Sequence, residues 1–74
     1  MWKIDSDGDA QNSDNNEVVT VSPSFTVKHW RIIRNRYGKP EWDVKPLYTF
    51  DSEAAAREFL RVFTSVQNAR EPRL

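Results

Sequence analysis

Apolar and polar positions follow two different periods along this chain, and the change between them predicts its elements. Val18, Val19 and Val21, with Thr20 between them, are β-branched and read as a first strand, which Ser22-Pro23-Ser24 ends. Alternation then runs from Phe25 to about Asn35 and again from Glu41 to Phe50, predicting two strands joined by the turn Tyr37-Gly38-Lys39-Pro40, where Gly38 can take a positive φ. After Phe50 the period lengthens. Asp51 or Ser52 can cap a helix, Glu53 suits its first turn, and three alanines propagate it. Ala55, Ala56, Phe59, Val62, Phe63 and Val66 recur at helical spacing, with Glu53, Glu58, Arg61, Ser65 and Asn68 on the wet side and an end near Asn68 or Ala69. One apolar stripe predicts a helix lying across one sheet face.

The pairing of the hairpin decides which side chains meet that helix. With Tyr37 and Gly38 central in the turn, Phe25 opposes Phe50, Val27 opposes Tyr48, Arg31 opposes Val44 and Ile33 opposes Trp42, all on the helix side together with His29. The other face then carries Trp30 beside Lys45, Arg34 beside Glu41, Lys28 beside Leu47 and Ile32 beside Asp43, with Arg36 and Lys39 at the tip. A slip of one residue would exchange the faces of one strand.

Residues 1–16 look unable to join this unit. From Asp5 to Asn16 every residue but Ala10 is Asp, Asn, Ser, Gly or Gln, so little can be buried to offset the entropy of ordering. The expected organisation is a disordered acidic arm over 1–16, a domain over 17–69 and a frayed tail over 70–74. The expected fold class is α+β, a three-stranded antiparallel sheet with one C-terminal helix packed on one face. A core drawn from about 50–55 residues is marginal in size, and the 74-residue chain has no cysteine to staple it.

Charge is polarised although the total is neutral. Residues 1–17 hold Lys3 against five carboxylates, whereas the remainder holds ten cations against six. Lys28, Arg31, Arg34, Arg36, Lys39 and Lys45 interleave with Trp30, Tyr37 and Trp42 on the hairpin, a composition suited to an anionic or protein partner. Arg and Lys neutralise phosphates, and a two-stranded ribbon fits the major groove. Trp, Tyr and Arg are equally the usual anchors of protein interfaces. The candidate binding residues are therefore Lys28, Trp30, Ile32, Arg34, Arg36, Lys39 and Lys45. The plain alternative is a solvated strand face with an ordinary Arg34–Glu41 cross-strand pair.

Three short strands followed by a helix, with a Trp-Arg strand, a Gly-Lys turn and the run Tyr48-Thr49-Phe50-Asp51-Ser52-Glu53-Ala54-Ala55-Ala56, resemble the arm-type N-terminal DNA-binding domains of tyrosine recombinases over about residues 18–67. A related plant-type transcription-factor domain is similar too. The resemblance implies that the sheet face opposite the helix enters the major groove, with Trp30, Arg34, Arg36, Lys39 and Lys45 as contacts. Glu41 and Asp43 depart from the more basic segment usual after that turn.

Other chemistry finds little footing. Asp5-Ser6-Asp7-Gly8-Asp9 resembles the opening of a calcium loop, but Ala10, Asn12 and Asn16 stand where Gly, an apolar residue and Glu are wanted. The acidic arm reads better as a cover for the basic hairpin or a charge row for a basic partner. With no cysteine, one histidine and no glycine-rich phosphate loop, no enzyme, cofactor or metal is expected, and His29 reads as a packed or hydrogen-bonded imidazole. The apolar runs are too short for a membrane span or a signal peptide, so a cytoplasmic protein with no membrane partner and no small-molecule substrate is expected. The partner is DNA, for a mobile element or phage protein, or else a host protein bound by a small phage-type inhibitor or adaptor. Homodimerisation through the edge of the first strand is a third reading.

Overall fold

The computed structural model describes residues 1–70, and the chain folds as an antiparallel sheet with one C-terminal helix. The sheet has five strands, not three: β1 (Trp2–Ile4), β2 (Ala10–Asn12), β3 (Glu17–Val21), β4 (Thr26–Arg34) and β5 (Pro40–Thr49), paired in chain order, followed by α1 (Glu53–Arg70). The segment expected to be a disordered arm supplies β1 and β2. Their pairing sets Trp2 against Asn12 and Ile4 against Ala10, and it carries on into β3 through Ala10 opposite Val19.

Two physical features make so polar a segment foldable. Its few non-polar side chains are spent well, because Trp2 is 6% exposed and Ala10 is fully buried beside Val19, Val27, Ala56 and Leu60. Its acids and amides are the residues that close tight turns. Asp5 Oδ1 accepts from the amides of Asp7 and Asp9, both at 3.0 Å, the Asp5 amide donates to the Asp9 carbonyl at 2.8 Å, and Gly8 takes a φ of 86°. The run that resembled a calcium loop is thus a hairpin loop.

The same device closes two more hairpins. Ser22 Oγ accepts from the Thr26 amide with Phe25 in the left-handed region, and Asn35 Oδ1 accepts from the amides of Tyr37 and Lys39 with Gly38 at a φ of 74°. Each is a type I turn followed by a left-handed residue, a three-residue loop with a bulge. The expected hairpin turn had two central residues. The additional loop residue shifts the register by one, so Ile32 opposes Trp42, Trp30 opposes Val44 and His29 opposes Lys45. A bulge in which Leu47 is the extra residue restores the expected pairing at the base, where Val27 opposes Tyr48 and the Phe50 amide donates to the Phe25 carbonyl at 2.9 Å.

Ser52 caps α1 as expected, its Oγ accepting from the Ala55 amide. The helix runs to Arg70, beyond the expected end, and residues 71–74 of the expected frayed tail lie outside the described residues. It packs chiefly over β1, β2 and β3 and reaches the hairpin only at its base. Its buried stripe is therefore Ala56 and Leu60 flanked by Phe59 and Phe63, while Ala55, Val62 and Val66, expected inside, are exposed. A chain of rings runs beneath it: Trp2 meets Phe63 edge-on at 5.0 Å, Phe63 stacks on Phe59, Phe59 tilts against Phe50, and Phe50 meets Tyr48. Asn68, expected on the wet side, accepts from the Trp2 amide at 2.8 Å and donates to the Trp2 carbonyl at 3.0 Å, closing the outer edge of β1.

Candidate partner-binding face

The register places a continuous row of side chains on the sheet face away from α1. Along β4 these are Lys28, Trp30, Ile32 and Arg34, and opposite them on β5 stand Pro46, Val44, Trp42 and Pro40. Trp30 is fixed from β3, its Nε1 donating to Thr20 Oγ1 at 2.9 Å, and it meets Trp42 edge-on at 6.3 Å between ring centres. Trp42 remains 52% exposed, and Ile32 and Val44 beside it are exposed as well. Ile32, Pro40, Glu41 and Trp42 line a shallow hollow at the outer end of this row. No other described element covers these residues, since α1 lies on the opposite face.

The slip of one residue redistributes the expected site. Lys28, Trp30, Ile32 and Arg34 share the far face as anticipated. Lys45 does not: it lies on the helix side opposite His29, and Asp43 and Glu41 go with it, so the expected pairs Trp30–Lys45, Arg34–Glu41 and Ile32–Asp43 are absent. Trp42 and Val44 take their places, and sequence reasoning had put both against the helix. The turn signal was present in Asn35 three residues ahead of Gly38, the pattern of a type I turn with Asn at its first position.

At the tip, Arg34 Nη1 donates to the Gly38 carbonyl at 2.8 Å and the Arg36 guanidinium lies 5.2 Å from the Tyr37 ring centre. Lys39 is exposed there too. Pairing of β3 with β4 stops at Glu17 opposite Arg31, so Ile32–Arg34 and Pro40–Trp42 project as a two-stranded ribbon beyond the rest of the sheet.

The helix side of the hairpin is chemically different. His29 Nε2 lies within hydrogen-bond distance of Glu17 Oε1 at 3.1 Å, and Arg31 Nε lies 3.2 Å from Asp43 Oδ2, so the carboxylates on this side of the sheet have partners. His29 is the hydrogen-bonded imidazole its position suggested. Where the hairpin base meets α1, Leu47, Tyr48, Phe50, Ala55 and Phe59 line an apolar groove of about 560 Å³.

The acidic segment does not fold over the basic hairpin, because β1 and β5 are opposite edges of the sheet. Its first loop is held by α1 instead: Arg57 Nη1 donates to the Gly8 carbonyl at 2.8 Å and lies 3.6 Å from Asp9 Oδ1. Partial burial raises the Asp9 carboxyl above its ordinary value, and neighbouring Asp5 adds to this against the pull of Arg57. Among the described residues no three His, Cys, Asp or Glu side chains gather as a metal ion would need. No protein-family model, curated protein or solved structure matches this chain. A functional reading therefore rests on the geometry of the far face.

Both sheet edges are also blunted. Asn68 occupies the outer backbone groups of Trp2. On β5, Asn35 and Lys39 form a hydrogen-bonded pair, so alternation turns the amide positions of residues 40, 42, 44 and 46 outward, and two of these are prolines with no N–H. The strand expected to offer an edge for homodimerisation, Val18–Val21, is β3, paired on both sides. Among the described residues no helix is long and apolar enough to cross a membrane.

Proposed function

We propose that this protein is a non-enzymatic binding module whose uncovered sheet face docks a protein partner. The observation that carries the reading is the register, which gathers Trp30, Ile32, Trp42 and Val44 on one face with no covering element among the described residues. Two tryptophans set edge-on, one of them anchored by Thr20, form a rigid apolar centre, and Lys28 and Arg34 flank it. That is the anatomy of a protein-binding hot spot, an aromatic core within a charged rim. An adaptor or inhibitor would act through such a face by occupying its target.

The projecting ribbon favours a second reading, DNA binding, because a two-stranded arm bearing Arg34, Arg36 and Lys39 can enter a major groove as the recombinase resemblance implies. Loss of Lys45 from the face weakens it. One experiment separates the two. Affinity capture from lysate with the wild-type chain and with Trp42→Ala is compared at matched folding, alongside anisotropy of labelled duplex DNA at about 50 and 200 mM salt. A protein retained by the wild type and lost with Trp42→Ala supports docking. DNA binding that falls steeply with salt and survives Trp42→Ala, with no such protein, would transfer the function to nucleic acid.

A further inference from the structure

We infer that the occupant of the far face is a protein segment that is anionic at both ends and apolar in the middle. This rests on the docking reading above. The sheet sorts its charges by face. Lys3, Lys28 and Arg34 lie on the far face, where the strands place no carboxylate, whereas Glu17, Glu41 and Asp43 all lie on the helix side. There Glu17 has His29 and Asp43 has Arg31 as partners. Lys28 and Arg34 have no carboxylate partner among the described residues, and the only side-chain hydrogen bond of Arg34 goes to a backbone carbonyl in its own turn.

The spacing adds a length. Lys28, Trp30, Ile32 and Arg34 are successive far-face positions of one strand, so the two cations stand about 20 Å apart with the apolar centre between them. A complementary segment carries acids at that separation and two aromatic or aliphatic anchors between them. A neutral apolar partner would leave both cations desolvated without compensation at the rim, and a basic one would be repelled.

Peptides selected from a random phage-displayed library on the immobilised full chain test the inference. They are re-measured against Lys28→Glu/Arg34→Glu and against Trp42→Ala, with equal thermal melting of each variant as the check on folding. The expected peptides place Asp or Glu on either side of aromatic or aliphatic residues and lose about tenfold in affinity to the double charge variant at low salt, less at high salt. Neutral or basic peptides that ignore the charge variant but are lost with Trp42→Ala would overturn the anionic partner while leaving the docking face intact. Failure to select any peptide, or peptides indifferent to Trp42→Ala, would overturn both. Duplex DNA that displaces the selected peptides and is itself lost in the charge variant would make nucleic acid the occupant and also overturn the inference.

Discussion

Single residues carry the turns, and two glycines in the same loop geometry separate the reasons for it. Gly38 has a φ of 74° with open space around a would-be Cβ, so Gly38→Ala should cost about 1 kcal/mol, the left-handed backbone alone. At Gly8, with a φ of 86°, the added Cβ would lie 3.0 Å from Arg57 Nη1, so Gly8→Ala should cost more as the guanidinium is pushed off the Gly8 carbonyl. Urea melts of the two variants check this, and equal losses would mean that Arg57 gives way freely. Phe25 holds the third such position with a φ of 62°, keeping its ring on the core at the cost of strain. The turn itself was legible in Ser22-Pro23-Ser24, but its left-handed residue was not: Gly38 announces such a position, and phenylalanine does not. Asp9 adds a pH dependence. Its folded carboxyl titrates above the ordinary value, so its contribution to stability is greatest below about pH 4 and is lost as pH rises through the folded value. A carbon-detected NMR titration should find the midpoint raised, and raised further in Arg57→Gln, which removes the cation that opposes the shift.

Among elements, those with a strong period were legible and those held by long-range partners were not. α1 and the β4–β5 hairpin follow from their own patterns, because capping by Ser52 and alternation from Val27 onward are local facts. β1 and β2 are three residues each and show no period. They exist because Trp2 finds Phe63 and the Trp2 backbone finds Asn68, sixty-six residues away. The helix face was misread for the same reason, since only the sheet's extra width moves α1 off the hairpin. Asn68→Ala should accordingly cost about 1–2 kcal/mol by unpairing both Trp2 backbone groups, and faster hydrogen exchange confined to the Trp2 amide and its neighbours would locate the effect. Trp2→Ala should cost about 3–5 kcal/mol, a large part of the stability of so small a domain. Circular dichroism that leaves Trp2→Ala folded with an unchanged melt would return residues 1–16 to the disordered arm.

At the scale of the whole molecule, stability and function divide across the sheet. Core residues come from β1 to β4 and α1, whereas β5, ten residues long, has none fully buried, and Trp42, Val44, Leu47 and Tyr48 on it are all exposed. Trp42→Ala should therefore cost only about 1 kcal/mol, mainly its edge-on contact with Trp30, while Phe63→Ala costs several times more. The same division predicts the order of local opening. The β5 amides that face β4, those of Glu41, Asp43 and Lys45, are held by hairpin bonds alone, and those of Val19 and Val27 lie within the core. Protection from hydrogen exchange should fall from β3 through the base of the hairpin to its tip. A partner seated on the far face would bind only the closed hairpin and raise protection of Glu41 and Asp43 more than that of Val19, because ligand stabilises what was open without it. Uniform protection along β5 in the free protein, equal to that of Val19, would mean that the hairpin is as rigid as the core and that its exposed tryptophan row needs no partner to hold it.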